Sequence, residues 1–381
     1  MGKKRAGKVP HYFDYNLLFL IIFIIAFGLV MLYSATAFTA SLQEGNPTYY
    51  LKRQLVFSVL GLGVMTVAAW LPTRVFRKLS ALALIGAVIS VFMLLVPSLS
   101  NSSHGATRWL KFGSITIQPA ELVKIAVIVF MADLIPRIGR RIKGMPAFVL
   151  IGGIGLVLSG LVLIISDNLS SAIIIMGIVI IMYFVAHPRY APFLLWGAIG
   201  AALIAVVVLV VSPKLVNVNF RFQRIEAWKD PVKYAETVGY QTLQALYAIG
   251  SGGLFGKGLG KSAQKLILPE AQNDMIFSII CEELGVVGAI AVLFVFILIL
   301  YRMLFIAKNS QSRFGGLLVV GVFSHIALQV VLNIMVVTNL FPPTGITLPF
   351  ISYGGTATAC LLLEIGMVFS VCREIKLEEP Y

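Results

Sequence analysis

The sequence predicts an all-α, polytopic membrane protein with about ten transmembrane helices, and three observations indicate this fold class. First, 59% of the 381 residues are hydrophobic and only 12% are charged, whereas a soluble domain carries roughly 25% charged residues. Second, the apolar residues form separate runs of roughly 20 residues, the length that crosses a bilayer. Third, lysine and arginine are concentrated in short segments between alternate runs, as in polytopic proteins.

The apolar runs define the predicted helices. They lie at about 15–36, 54–72, 79–97, 118–135, 147–166, 169–187, 191–212, 274–301, 315–338 and 349–371. The first run is too long for the core of a signal peptide, and no small-residue cleavage site follows it. We therefore interpret residues 1–381 as one membrane domain. Cys281, Cys360 and Cys372 lie in or at the end of these runs, and their spacing indicates neither a disulfide framework nor a metal site.

The positive-inside rule predicts that both termini, 1–14 and 372–381, are cytoplasmic. The segments on that side carry Lys3, Lys4, Arg5, Lys8, Arg74, Arg77, Lys78, Arg137, Arg140, Arg141, Lys143, Arg189, Arg302, Lys308, Arg313, Arg373 and Lys376. The short segments on the other side carry only Lys52, Arg53, Arg108 and Lys111. Because the net charge of +14 is distributed in this way, it indicates contact with anionic lipid and argues against nucleic acid as a partner.

One long extracellular loop, 213–273, is predicted between helices 7 and 8. Loops of this length are usually functional. Leu243, Leu246 and Ile249 recur at helical spacing and predict a short helix within the loop. Several glycines follow between positions 250 and 260, without the GxxxxGK[ST] pattern of a nucleotide site. We therefore interpret this glycine-rich segment as a flexible approach to the membrane.

A shorter outside loop, 98–117, is expected to lie in the membrane interface, because Trp109 beside Arg108 is typical of headgroup depth. The fourth helix follows it. Glu121 and Lys124 are three residues apart on this helix and therefore share a face. They form either an ion pair within the helix or a site in which the lysine meets an anionic head group.

The acidic residues at the start of the eighth run are the main candidates for chemistry. Asp274 either caps the helix or presents its carboxylate to the loop, and these two roles are compatible. Glu282 and Glu283 follow in the apolar run, where unpaired charge is costly. We expect either a functional role or a structural ion pair with Lys124 or with a cation of the long loop. Glu364 is expected to stand alone and to face the bundle interior.

Two further patterns complete the candidate set. His325, Gln329 and Asn333 recur every four residues and predict a polar stripe that forms hydrogen bonds between helices. Arg221 and Arg224 of the long loop form either a solvated face or a phosphate-binding pair. A positively charged cavity at the membrane surface, with one carboxylate, fits a lipid-linked substrate that carries pyrophosphate.

The chain contains four long motifs in the same order as in a known family. They are GATRWLKFGSITIQPAELVK (105–124), GYQTLQALYAIGSGGLFGKGLGKSAQKL (239–266), LPEAQNDMIFSIICEELG (268–285) and FPPTGITLPFISYGG (341–355). With them, the chain resembles the FtsW/RodA/SpoVE (SEDS) family of peptidoglycan glycosyltransferases over nearly its whole length. The segment RIEAWKDP (224–231) is more similar to the FtsW/SpoVE branch than to RodA.

The resemblance implies that Asp274 is the family's catalytic aspartate. Gln272 and Asn273 precede it where many members have His-Thr, and Met275 follows it where they have Phe. In the turn between helices five and six, Asn168 stands where many relatives have aspartate. We therefore assign no chemistry to that turn.

The resemblance also implies the reaction. The 4-hydroxyl of lipid II attacks a glycan strand linked to undecaprenyl pyrophosphate, and a β-1,4 linkage forms with inversion. We expect Asp274 to be the base, since a direct displacement of pyrophosphate needs one base and positive charge for the leaving group. The expected substrate contacts are Arg108, Glu121, Lys124, Arg221, Arg224, Lys265, Glu282 and Ser352. A divalent cation, Mg²⁺ or Mn²⁺, is the one cofactor considered, and its ligands are unassigned.

The implied setting is the bacterial cytoplasmic membrane, with the active site on the outside. The implied partners are lipid II, the undecaprenyl-linked glycan, a class B penicillin-binding protein that supplies the transpeptidase, and other membrane proteins of division or elongation. Two alternatives stay open, namely a lipid II flippase and a non-catalytic scaffold of the division complex. A flippase needs polar groups along a complete pathway, whereas the candidate groups here cluster towards the outer side.

Overall fold

The computed structural model describes residues 12–103, 106–113, 115–189 and 220–376, together with positions 193 and 197. Its α-helices are α1 (Tyr15–Glu44), α2 (Tyr49–Trp70), α3 (Thr73–Phe92), α4 (Pro119–Ile138), α5 (Met145–Ser166), α6 (Leu169–Ala186), α7 (Phe220–Lys229), α8 (Tyr240–Gly252), α9 (Ile276–Asn309), α10 (Arg313–Val337) and α11 (Gly355–Arg373). A 3-10 turn, Met93–Leu95, extends α3.

The predicted class of a helical membrane protein is confirmed. Eight of the described helices are long and apolar enough to cross a bilayer, namely α1, α2, α3, α5, α6, α9, α10 and α11. A helix is also present at the fourth predicted run, as α4, whose charged residues include Glu121, Lys124 and Asp133. The predicted seventh run, 191–212, lies outside the described residues apart from two positions. The total of ten crossings and the placement of the long loop therefore stay predictions.

The loop 98–117, predicted to lie outside, contains a small sheet that was not expected. Three antiparallel strands form there, β1 (Ser100–Ser103), β2 (Ala106–Phe112) and β3 (Ile115–Ile117), in the order β1-β2-β3. The turn between β2 and β3 includes Gly113 at φ 62°, a conformation that glycine adopts without steric cost. The sequence predicts only an interfacial loop here, because the strands are too short to show a clear alternation of polar and apolar residues.

Both ends of the described chain meet at one face of the helix bundle, here called the terminus face. The Tyr12 amide donates to the Ile375 carbonyl at 3.2 Å. Asp14 caps α1 and accepts a hydrogen bond from Arg302 of α9 at 2.8 Å. The helix rises about 26 Å from Arg302 to Gly285, where α9 is interrupted, and Asp274 precedes that interruption. Asp274 is therefore at the opposite end of the bundle, here called the Asp274 face.

The glycine-rich segment is docked on α9, and its interpretation as a flexible approach is wrong. The amides of Lys257 and Gly258 donate to the carbonyls of Glu282 and Glu283, both at 2.9 Å. In return, two amides that follow Gly285 donate to carbonyls of the glycine-rich segment. Gly285 makes this exchange possible because its φ of 69° and ψ of −168° interrupt the helix.

The predicted short helix of the long loop is confirmed as α8, but a different face of it is buried. Thr242, Ala245, Ala248 and Gly252 face the protein, while the larger apolar side chains used for the prediction are only partly covered. A Cβ at Gly252 would lie 2.0 Å from the Cys281 carbonyl oxygen. The small face is therefore required for close contact between the backbones of α8 and α9.

We expect Gly256→Ala to destabilise the protein by about 2 kcal/mol, as overpacking of a filled interior does. The reason is steric, since a Cβ at Gly256 would lie 2.2 Å from the Glu283 carbonyl oxygen. Thermal unfolding in detergent micelles measures the loss. Gly253→Ala is the matched control, because Gly253 also has a positive φ, of 58°, but no atom within 4 Å of the added methyl group. Equal losses for the two variants would show that the docking contact is not the cause.

Candidate active site

Asp274 is held by three separate elements. Gln241 of α8 donates its Nε2–H to Asp274 Oδ1 at 3.2 Å and to the Pro269 carbonyl at 3.3 Å. Asn333 of α10 donates to the Asp274 carbonyl at 2.8 Å. On the third side, Gly345 is so close that an added Cβ would lie 3.8 Å from Asp274 Oδ2. These contacts fix the backbone and one carboxylate oxygen.

Asp274 is not a helix cap. Helix α9 begins at Ile276, its N-cap residue is Met275, and no side chain caps it. The carboxylate of Asp274 is therefore directed to α8 rather than to the free amides of α9. This outcome removes the structural alternative that the sequence left open for this residue.

The surroundings of Asp274 favour a carboxyl group that exchanges a proton near neutral pH. The residue is 9% exposed, so its side chain is largely shielded from water. Its pKa is raised to about 7, chiefly because burial disfavours the charged form, and the charge of Glu270 acts in the same direction. The charge of Arg224 and the hydrogen bond from Gln241 oppose this rise in pKa.

The segment between α10 and α11, residues 338–354, covers the site. Its Thr344 carbonyl accepts a hydrogen bond from Ser170 at the start of α6. Its Tyr353 amide donates to the Gln272 carbonyl at 2.9 Å. Trp228 of α7 donates to the Asn339 carbonyl at 2.9 Å. Elements that are distant in sequence therefore converge around Asp274.

Glu282 and Glu283 are completely buried and belong to a separate cluster. Glu282 pairs with Lys257 at 2.7 Å and accepts a hydrogen bond from Ser262. Glu283 accepts a hydrogen bond from the Ser34 hydroxyl of α1 at 2.5 Å. The sequence left two structural partners open for these two glutamates, namely Lys124 and a cation of the long loop. The loop cations are confirmed, and Lys124 is not among the observed partners.

Lys265 completes this cluster. Its Nζ lies 3.4 Å from Glu283 and donates to the carbonyls of Ser34, at 2.9 Å, and Gly260, at 2.7 Å. The Ser34 hydroxyl in turn accepts from the Gly260 amide at 3.0 Å. The cluster therefore joins α1, the glycine-rich segment and the first turns of α9 across the Asp274 face.

The other residues predicted to contact substrate have observed partners other than Asp274. Lys124 is buried and pairs with Glu121 at 2.7 Å within α4, and both act electrostatically on Cys360 of α11. Arg108 donates to the Asp167 carbonyl at 2.9 Å, at the turn between α5 and α6. Their assignment as substrate contacts stays a prediction.

Substrate contact was also predicted for Ser352, Glu282 and Lys265. Ser352 is buried and its Oγ accepts from the Leu348 amide at 2.7 Å, which stabilises the covering segment. Glu282 and Lys265 have the structural contacts given above, and substrate contact stays a prediction for all three. Arg221 lies in α7, but its side chain is outside the described residues.

The polar stripe of α10 is confirmed as a set of contacts between elements. Asn333 bridges the carbonyls of Asp274 and Ile346, and Gln329 donates to Thr347. The expectation that Glu364 stands alone is wrong, because it accepts a hydrogen bond from His325 at 2.8 Å. The two side chains lie on different helices, and sequence spacing cannot show such a pair.

The described residues contain no group of three or more His, Cys, Asp or Glu side chains placed to hold a metal ion. A magnesium ion commonly takes one or two carboxylates together with the phosphate oxygens of its substrate. A ligand set made only of protein side chains is therefore not required for a divalent cation, and none is assigned.

Sequence analysis missed the contact between Gln241 and Asp274. The two residues are 33 positions apart, and Gln241 lies in the motif GYQTLQ without any charge that would single it out. The contact between Asn333 and the Asp274 backbone was also missed, although Asn333 was noted as part of the polar stripe. For Gln241, membership of the motif 239–266 was the one available signal.

Comparisons with known proteins match almost the whole chain. A family model described as cell cycle protein, FtsW/RodA/SpoVE, matches residues 15–377. The chain is 35% identical over 362 residues to stage V sporulation protein E of Bacillus subtilis, covering 94% of this chain and 97% of that protein. It is 34% identical over 367 residues to the probable peptidoglycan glycosyltransferase FtsW of Trichlorobacter lovleyi, covering 96% and 94%.

Solved structures are similar over almost the same range. A chain from a study of how a peptidoglycan synthase complex coordinates polymerization and crosslinking matches with a TM-score of 0.78 and 26% identity, covering 95% of this chain and 98% of that one. The rod shape determining protein RodA of Thermus thermophilus matches with a TM-score of 0.69 and 26% identity, covering 96% and 98%.

We expect Lys265→Met to destabilise the protein by about 3 kcal/mol, because it leaves the buried Glu283 without its cationic partner. Thermal unfolding is the measurement. Adding Glu283→Gln to this variant should recover part of the loss, since the amide carries no charge. Lys261→Met is the matched control, because Lys261 is exposed in the same segment. A Lys265→Met protein with unchanged stability and lost activity would instead favour a substrate contact.

Proposed function

The chain belongs to the FtsW/RodA/SpoVE family of cell cycle proteins, and from this premise we propose that it is a peptidoglycan glycosyltransferase. It polymerises lipid II into β-1,4-linked glycan strands at the outer face of the cytoplasmic membrane. The observation that carries the proposal is Asp274, a buried carboxylate on the face opposite both ends of the described chain. Curated relatives named as probable peptidoglycan glycosyltransferases support it.

In the proposed reaction, Asp274 takes the proton of the 4-hydroxyl of the acceptor sugar. The hydroxyl oxygen forms a bond to the anomeric carbon of the donor strand, while the bond from that carbon to pyrophosphate breaks. The electron pair of the broken bond leaves on the phosphate oxygen, and the anomeric centre is inverted. No second carboxylate is needed as an acid, because pyrophosphate is a good leaving group without protonation.

Positive charge for the leaving pyrophosphate is proposed to come from the cations of the Asp274 face. Arg224 is close enough to Asp274 to affect its protonation, which makes it the first candidate. Arg108, Lys124 and Arg221 are further candidates. Guanidinium groups suit this role because their planar donor pattern matches phosphate oxygens.

A divalent cation, Mg²⁺ or Mn²⁺, remains part of the proposal. Such an ion would supply positive charge to the pyrophosphate oxygens when bound. The chain's own residues still have to orient the acceptor sugar and remove its proton, and these are the roles proposed for Gln241 and Asp274.

The distribution of buried polar groups favours an enzyme over a flippase. On α10 the polar stripe runs from Asn333 to His325, near the middle of the helix. Between His325 and the terminus face, the buried side chains of α10 are apolar apart from Ser324. Along α10 the buried polar side chains are therefore concentrated towards the Asp274 face, whereas a flippase needs polar groups along a complete pathway.

The proposed partner is a class B penicillin-binding protein. A similar chain in a complex that coordinates polymerization with crosslinking supports this proposal. The partner would supply the transpeptidase that crosslinks the strands made at the Asp274 face. Other membrane proteins of division or elongation are proposed as further members of the assembly.

We expect Asp274→Asn to reduce polymerisation of lipid II in detergent by about 100-fold or more, the usual effect of removing a general base. The amide keeps the shape of the side chain but cannot accept a proton. Gel analysis of products from purified lipid II measures the effect. Asp230→Asn, an exposed carboxylate of the same loop, is the control and should leave activity unchanged. Full activity of a folded Asp274→Asn protein would exclude the base assignment.

We expect kcat/KM for lipid II to rise with pH up to about 7 and then to level off, because only the ionised Asp274 accepts a proton. Gln241→Leu should move the rise to higher pH, since it removes a hydrogen bond that stabilises the carboxylate. Initial rates between pH 5 and 9 are the measurement. A rise centred near the ordinary aspartate pKa of about 4 would contradict the proposed environment.

A further inference from the structure

Three tyrosines form a connected cluster at the Asp274 face. The rings of Tyr49 and Tyr50, at the start of α2, are edge to face with centroids 5.3 Å apart. The rings of Tyr50 and Tyr353 are also edge to face, with centroids 5.2 Å apart. Each of the three side chains is half-buried, so part of each remains accessible.

This tyrosine cluster (Tyr49, Tyr50 and Tyr353) is fixed to the covering segment of the active site. The Tyr353 amide donates to the Gln272 carbonyl at 2.9 Å. The Gly354 amide donates to Gln54 Oε1 of α2 at 3.2 Å. Gln272 is two residues from Asp274, and two residues of chain span at most about 7 Å. The Tyr353 amide therefore lies within about 10 Å of the backbone that carries the base.

Charged groups surround the rings. Arg53 is exposed, donates to the Tyr49 hydroxyl at 3.4 Å and interacts with the Tyr353 hydroxyl. The carboxylates of Glu44 and Glu270 act electrostatically on Tyr50. Aromatic faces with hydrogen-bonding groups at their edges fit a sugar chain, whose rings have apolar C–H faces and polar rims.

We infer that the tyrosine cluster is a saccharide-binding platform for the β-1,4-linked N-acetylated glycan strand, next to the sugar that reacts at Asp274. This inference rests on the proposed function. The platform would keep the growing strand attached between successive transfers, and it would therefore influence strand length. Arg53 would donate hydrogen bonds to hydroxyl or acetamide oxygens of the strand.

Interfacial anchoring is the competing explanation, because tyrosines at the end of a membrane helix often lie at headgroup depth. An anchoring tyrosine presents its ring to lipid and needs no partner in a loop. Tyr353 instead comes from the segment that covers Asp274, and its ring packs on Tyr50. This link to the active site favours a ligand of the active site over lipid.

The test uses the full-length protein in nanodiscs and soluble chitotetraose, a β-1,4-linked tetramer of N-acetylglucosamine without lipid or pyrophosphate. Saturation-transfer NMR measures its binding. Tyr50→Ala should bind about fivefold more weakly, since an aromatic stacking contact contributes about 1 kcal/mol. Tyr301→Ala is the matched control, because Tyr301 is 61% exposed near the terminus face. If Tyr50→Ala does not fold, Tyr49→Ala provides the same comparison.

Absence of chitotetraose binding to the unmodified protein, or equal binding by the Tyr50→Ala and Tyr301→Ala variants, would overturn the platform. Altered nanodisc stability with unchanged sugar binding would assign the cluster to lipid anchoring and would also overturn it. Shorter glycan strands from Tyr50→Ala, with normal strands from Tyr301→Ala, would support it. Binding of chitotetraose by a protein that makes no polymer would refute the proposed function and leave the platform standing.

Discussion

The contact between the glycine-rich segment and the first turns of α9 is the constraint on which the Asp274 face depends. Two adjacent carboxylates, Glu282 and Glu283, are completely buried there. Their burial is tolerable only because lysines, hydroxyls and backbone amides surround them. The glycines allow the two backbones to approach closely enough for these groups to converge, and Gly285 interrupts α9 where the exchange of hydrogen bonds requires it.

Because of this constraint, three acidic residues within ten positions of each other have two different roles. Glu282 and Glu283 have fixed partners and belong to the scaffold. Asp274 accepts a hydrogen bond from the Gln241 side chain and has no cation paired with it in the described contacts, and its burial raises the pKa to about 7. A scaffold that satisfies its own charges can hold a reactive carboxyl group nearby without neutralising it. This division of roles explains why only one of the three carboxylates is suited to accept a proton.

The sequence predicted the helical membrane class, most helix positions and Asp274 as the main candidate, because apolar runs and long motifs are local signals. It did not predict the sheet in loop 98–117 or the pairing of His325 with Glu364. The sequence also suggested a flexible glycine-rich segment, whereas this segment is docked on α9. Strand pairing, ion pairs between helices and backbone docking depend on residues that are far apart in the chain, and no periodic pattern records them.

The sequence by itself therefore determined the class of a helical membrane protein and singled out Asp274 at the start of an apolar run. Hydrophobic length and the cost of buried charge are enough for those conclusions. Only the tertiary structure decided that Asp274 faces Gln241 and does not cap α9. It also decided that Tyr50 and Tyr353 meet beside the site. Side-chain direction and contact across elements follow from packing, which a linear pattern of residues does not specify.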